Sequence, residues 1–242
     1  IRSKVTWKPG ALLAPVPAVM VSCGTMEKPN IITIAWTGIV NSDPAMTYIS
    51  VRRERFSHAL ISKSGEFVIN LTTSALSRAT DLCGVKSGRD TDKFALANLT
   101  PEPASKLSCP MIAQSPLSLE CKVTQVLPLG SHDMFLAKII AVNVEESLLD
   151  EKGKLHLSRC GLLSYAHGEY FAQGRRLGGF GYSVRKKVPA GKRQPPKKKN
   201  KTKKKRGQSI KNENDAFSFV LRKQLELVMD GCVLWECVWS MW

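Results

Sequence analysis

The sequence contains no apolar run approaching the roughly 18 residues a bilayer-spanning helix requires, so it offers no candidate for one. C-x-x-C is missing, and no Cys/His group has zinc spacing, which leaves no metal site to nominate. The seven cysteines (23, 83, 109, 121, 160, 232 and 237) are odd in number and lie in apolar sequence. Buried free thiols in a reducing compartment behave this way, and cytoplasm is the expected location. Walker A, H-E-x-x-H and G-x-S-x-G do not occur, and Gly178-Gly179-Phe180-Gly181 lacks the strand–turn–helix setting of a dinucleotide fingerprint. Spacing alone therefore supports no metal site, hydrolase triad or Rossmann site, and nominates no catalytic side chain. Acid is missing from residues 185–211, which hold 14 Lys/Arg and three prolines. Such a segment cannot bury a core and is expected to be disordered.

That basic run explains most of the +16 net charge over 242 residues. Residues 185–242 carry +11 and residues 1–184 only +5, so a nucleic-acid-binding body loses most of its support. A tail that binds nucleic acid or an acidic partner is the weaker alternative. At 43% hydrophobic and 23% charged, the chain has the composition of an ordinary globular domain with an appendage. The expected division is a domain over 1–187, a Lys-rich linker over 188–215 and an apolar segment over 216–242. On a helix, Leu221, Leu225, Val228 and Cys232 of that last segment would form an apolar stripe.

Residues 18–22, 31–36 and 46–51 are short β-branched or aromatic runs closed by turn residues, and read as strands. A helix follows Ser57, with Ser57 as its cap and Gly65 at its end. Glu66–Leu71 returns to strand, and Ser74–Cys83 is a second short helix with Gly84 after it. From Leu117 to Thr124 apolar and polar residues alternate, as in a half-buried antiparallel strand with Ser118, Glu120 and Lys122 on the outer face. Asp133–Glu146 reads as a long strand bent midway, and Gly161–Ala166 as another. Many strands, two short helices and no βαβ alternation indicate a mainly β fold, a barrel with helical decorations.

Four segments have the residue types for ligand chemistry. Arg52-Arg53-Glu54-Arg55-Phe56-Ser57 joins a strand to a helix start, where guanidinium groups, a hydroxyl and unpaired N–H groups suit a phosphate dianion. On a continuing strand Arg53 and Arg55 would share a face with Arg52 opposite, so all three serve one ligand only if the chain turns. A solvated arginine cluster with an ordinary cap is the alternative. Ser87–Phe94 is a polar, Gly-containing loop, Gly130–Asp133 presents His132 at a strand start, and Tyr165–Phe171 is dense in aromatics suited to stacking or to core packing.

The strings Thr33–Gly38, Asn41–Pro44, Tyr48–Arg52, Gly65–Leu71, Cys83–Asp90 with Asp92–Phe94, Leu119–Cys121, Gly130–Phe135 and His167–Phe171 occur in one order over about residues 4–187. Together they resemble the flavin reductase-like (flavoredoxin) family. The resemblance implies an FMN-binding split barrel, a homodimer with FMN held without covalent attachment at the subunit interface, and NADH or NADPH as electron donor. It implies an oxidoreductase of the NAD(P)H:flavin type or a flavoredoxin-type electron carrier, with a flavin, iron centre or electron-acceptor protein downstream. A flavin-binding carrier that does not oxidise nicotinamide is the alternative. Thr33, Ala35, Trp36, Thr37 and Asn41 would line the flavin and its ribityl chain. Ser50, Arg52, Arg55 and Ser57 would lie at the phosphate end, and Ser87, Gly88, Asp90, Lys93, Phe94, His132 and Tyr170 near the ring. Two positions depart from the family pattern: Ala45 after Pro44, and Arg53 ahead of Glu54-Arg55.

Overall fold

A computed structural model describes residues 2–184, so the expected linker and apolar C-terminal segment lie outside the described residues. The chain divides into two compact units, one reaching Gly178 and one beginning at Gly179. Of the second, the described part holds a single 3-10 turn, Tyr182–Val184. No described helix is long and apolar enough to cross a membrane.

The first unit is built on strands. They are β1 (Val16–Pro17), β2 (Val19–Gly24), β3 (Pro29–Ile34), β4 (Thr37–Ser42), β5 (Ala45–Arg52), β6 (Glu66–Asn70), β7 (Pro101–Glu102), β8 (Met111–Ile112), β9 (Leu117–Pro128), β10 (His132–Val144), β11 (Leu163–Ala166) and β12 (Glu169–Ala172). Three helices interrupt them: α1 (Phe56–Ser64), α2 (Ser77–Val85) and α3 (Lys93–Leu96). The main sheet has seven strands in the order β3-β2-β6-β9-β10-β5-β4, every pairing antiparallel. β3 and β5 are far apart in that order, yet Ile32 and Ile34 share one core with Ile49 and Val51. The sheet therefore curls until its two ends face each other. Val19, Val21, Phe67, Ile69, Cys121, Phe135 and Ala137 fill the interior, each at the inward position of a period-two strand. The β10 bend occurs through register shifts at Leu136/Ala137 and Ile139/Ala141.

Four local expectations need correction. The run 31–36 does not stay extended: β3 ends at Ile34, Ala35 and Trp36 form a bend, and β4 is a further strand. α1 begins at Phe56 with Arg55 in the cap position and no side-chain cap bond, so Ser57 lies in the first turn. Gly65 does close the helix, at φ +67. Gly84 lies inside α2 rather than after it, where a Cβ would stand 3.3 Å from Cβ of Thr33, so its small size lets the helix approach β3. Finally, Ser118 and Glu120 are buried. Glu120 accepts from Ser105 N and Oγ, Lys106 N and Asn143 Nδ2 at 2.5–2.8 Å, so the loop before β8 covers what the alternation assigned to solvent.

The described cysteines are all free thiols, four of them buried. Burial pushes Cys83 up to about 11 and Cys109 up to about 12, as expected for unreactive interior thiols.

Candidate functional site

Two adjoining lobes form one groove along the outside of the barrel. The first, about 450 Å³, is lined by Thr33, Ala35, Trp36 and Ser50 and closed by His132, Tyr165 and Tyr170. The second, about 540 Å³, is lined by Glu54, Phe56, Ser57, Lys86, Ser87, Gly88, Arg89 and Lys93. Ile32, Arg52 and Arg55 line both, so the lobes are continuous.

The aromatic lobe follows from local structure. The bend after β3 turns Trp36 outward, half exposed, and its indole centroid lies 4.6 Å from the His132 ring at the start of β10. Ser50 N donates to Trp36 O at 3.0 Å and fixes that bend to β5. His132 Nδ1 pairs with Ser131 Oγ at 2.9 Å. Burial and then the Arg52 charge lower its pKa, which favours the neutral imidazole. On the opposite side, the β11–β12 hairpin turns through His167 and Gly168, both at positive φ. Tyr165 and Tyr170 are thereby register partners with ring centroids 5.2 Å apart. Burial, reinforced by the Asp81 carboxylate it bonds, pushes the Tyr170 hydroxyl up to about 12.

The polar lobe depends on how β5 ends. Arg55 N donates to Arg52 O at 3.1 Å, the turn that the arginine spacing requires. That turn brings Arg52 and Arg55 to one groove and sends Arg53 the other way, reversing the face-sharing expected of a continuing strand. Arg53 meets Asp133 instead, Nε to Oδ1 at 2.9 Å, and His58 Nε2 takes the other carboxylate oxygen at 2.9 Å. These bonds, Arg53 foremost, hold Asp133 below the usual carboxylate range. Deeper in the lobe, Ser57 Oγ accepts from Asn30 Nδ2 at 2.7 Å, and both side chains bond the Cys23 thiol. Lys93 is only 4% exposed, and its Nζ donates to Cys83 O at 2.9 Å. Burial lowers its pKa, and no carboxylate among the described residues pairs with it.

The groove thus gathers Thr33, Ala35, Trp36, Ser50, Arg52, Arg55, Ser57, Ser87, Gly88, Lys93, His132 and Tyr170, with Ser87, Gly88 and Lys93, expected near the ring, in the cationic lobe instead. Four nominated residues do not line it. Thr37 Oγ1 donates to Tyr48 O at 2.6 Å, and Asn41 Nδ2 holds the β4–β5 turn through Asp43 O and Pro44 O at 3.0 Å. Asp90 is exposed, and Phe94 is core, packed with Met20, Ile31 and Cys83. Conversely, Asp81, Val85, Lys86 and Tyr165 line the groove without having been nominated, and Arg89 lines it from within the Ser87–Phe94 segment. Tyr165 was accessible from its aromatic-dense segment. The others depend on how α2 packs against β3, which no local pattern encodes.

An aromatic lobe continuous with a cationic one is the shape of a ligand carrying a planar ring and an anion. Residues 12–173 match the flavin reductase like domain family. The chain belongs to that family. Its fold is the mainly β split barrel of its structural neighbours. The flavoredoxin of Desulfovibrio vulgaris (Miyazaki F) is 28% identical with a TM-score of 0.70, over 76% of this chain and 100% of that one. The flavoredoxin of Methanosarcina acetivorans is 26% identical with a TM-score of 0.69, over 76% and 100%. An FMN-binding protein of Thermus thermophilus, with bound 1-cyclohex-2-enone, is 26% identical with a TM-score of 0.63, over 74% and 99%.

Proposed function

We propose that this chain binds FMN without covalent attachment and acts as an NAD(P)H-dependent flavin oxidoreductase that passes electrons to a second acceptor. The observation that carries the reading is the continuous groove, with Trp36, His132, Tyr165 and Tyr170 at one end and Arg52, Arg55, Ser57 and Lys93 at the other. The donor set fits the cofactor: Lys93 is a buried cation with no carboxylate partner among the described residues, and Arg52 and Arg55 line the same lobe. Bound flavin would supply the two-electron chemistry, accepting hydride from NADH or NADPH and releasing electrons to a flavin, an iron centre or another protein.

The chain's own residues position and exclude. Trp36 and His132 form one wall against a planar ring, and Thr33, Ala35 and Ser50 the adjoining surface. Arg55 stands where the lobes meet, placed to meet a phosphate bidentately. Exposed Ile39 and Val40 on β4, Val126 on β9 and Ile140 and Val142 on β10 support a homodimer that covers them. A second subunit would also close the open side of the aromatic lobe.

Steady-state oxidation of NADH and NADPH by the FMN-loaded protein, with excess FMN as acceptor, tests the activity. Turnover with either nucleotide is expected. A protein that holds FMN but oxidises neither would be an electron carrier instead.

A further inference from the structure

The polar lobe holds more positive charge than a single flavin phosphate uses. Arg52, Arg55, Lys86, Arg89 and Lys93 line it against one carboxylate, Glu54. Of these five, only Arg52 has an ion-pair partner among the described residues, Glu54 at 3.6 Å. A phosphate monoester near neutral pH carries about −1.5 to −2, which Arg55 and Lys93 balance. Lys86 and Arg89 are left over.

They also differ in place. Lys93 is buried, whereas Lys86 and Arg89 are exposed on the loop between α2 and α3, at the rim. That loop is anchored. A Cβ on Gly88 would stand 1.8 Å from Asn30 Oδ1, so the backbone lies directly on Asn30, the residue that bonds Ser57. Arg89 N donates to Ser87 Oγ at 3.2 Å and tightens the turn. The rim cations therefore have a fixed base beside the phosphate end while their side chains remain free.

We propose that Lys86 and Arg89 form a second anion subsite that receives the pyrophosphate of the nicotinamide dinucleotide, an inference resting on the reading of this groove as the FMN site. A dinucleotide laid with its nicotinamide in the aromatic lobe extends outward along the groove. Its pyrophosphate carries two negative charges, matched by one ammonium and one guanidinium, the latter suited to paired phosphate oxygens. Side-chain cations here take the place of the backbone N–H cradle that a Gly-rich Rossmann turn provides, and the sequence contains no G-x-G-x-x-G.

The test uses the FMN-loaded full chain carrying Lys86→Ala and Arg89→Ala together. KM for NADH and for NADPH is expected to rise about tenfold or more, with kcat within about twofold. Oxidation of 1-benzyl-1,4-dihydronicotinamide, a donor without phosphate, is expected to be unchanged, as is the Kd for FMN. The proposal is overturned if the phosphate-free donor slows equally or if KM for both dinucleotides stays put. Loss of FMN affinity in the variant would assign the rim to the flavin phosphate. A selective loss of FAD over FMN would assign it to a flavin's own pyrophosphate, and either result overturns the subsite. Wild-type protein that binds FMN and oxidises only the phosphate-free donor overturns the subsite and leaves the flavin site standing. Failure to bind any flavin overturns both.

Discussion

The guanidinium of Arg53 lies against Asp133, whereas Arg52 and Arg55 line the groove. Arg55→Ala is therefore expected to raise the Kd for FMN roughly ten- to a hundredfold, from about 1.5–3 kcal/mol for a charge-assisted hydrogen bond. The Kd for riboflavin, which has no phosphate, should change little. Equal losses in paired fluorescence titrations would move the phosphate elsewhere. Lys93 makes a pH prediction. Burial disfavours its cation, so the free protein loses that proton at lower pH than an ordinary lysine does. A bound dianion favours the cation again, so binding there takes up a proton, and FMN affinity should fall as pH rises through the lowered pKa. Lys93→Met should flatten that fall, and riboflavin should not show it. A wild-type FMN profile that stays level until ordinary lysines titrate would count against this role.

Two glycines separate packing from backbone strain at the scale of the element. At Gly88 an added Cβ meets Asn30 Oδ1 at 1.8 Å, so Gly88→Ala must displace the α2–α3 loop from Asn30. It is expected to lower both the melting temperature and FMN affinity. At Gly65, φ is +67 and nothing lies within 4 Å, so Gly65→Ala meets only the left-handed penalty of about 1–2 kcal/mol. It should lower the melting temperature and leave FMN affinity unchanged, and thermal melts paired with titrations check both. Most strands were legible as short β-branched runs closed by turn residues, and in β5 and β10 the barrel interior enforces a period-two burial, whereas β2 and β6 are buried on both faces. The groove was less so. The outward turn of Arg53, Gly84 inside α2 and the burial of Glu120 all depend on partners 14 to 80 residues away, as Glu120 with Lys106 and Arg53 with Asp133 show. Family resemblance reached Thr33, Trp36 and His132. It did not separate Asn41 and Phe94, which hold a turn and the core, from residues that line the groove.

At the scale of the whole molecule, exposed apolar side chains on β4, β9 and β10 mark where a second subunit would dock. Ile39 is 68% exposed, so Ile39→Glu should leave each barrel folded while weakening association. Sedimentation is expected to give a dimer for the wild type and a larger monomer fraction for the variant. A wild-type monomer that still binds FMN tightly would contradict an interfacial site. The central claim concerns the groove itself, and titration of the flavin-free chain with FMN and with riboflavin, followed by flavin absorbance and fluorescence, tests it most directly. The account predicts an equimolar yellow complex with FMN and distinctly weaker binding of riboflavin. No complex with either flavin, or equal affinity for both, would contradict it.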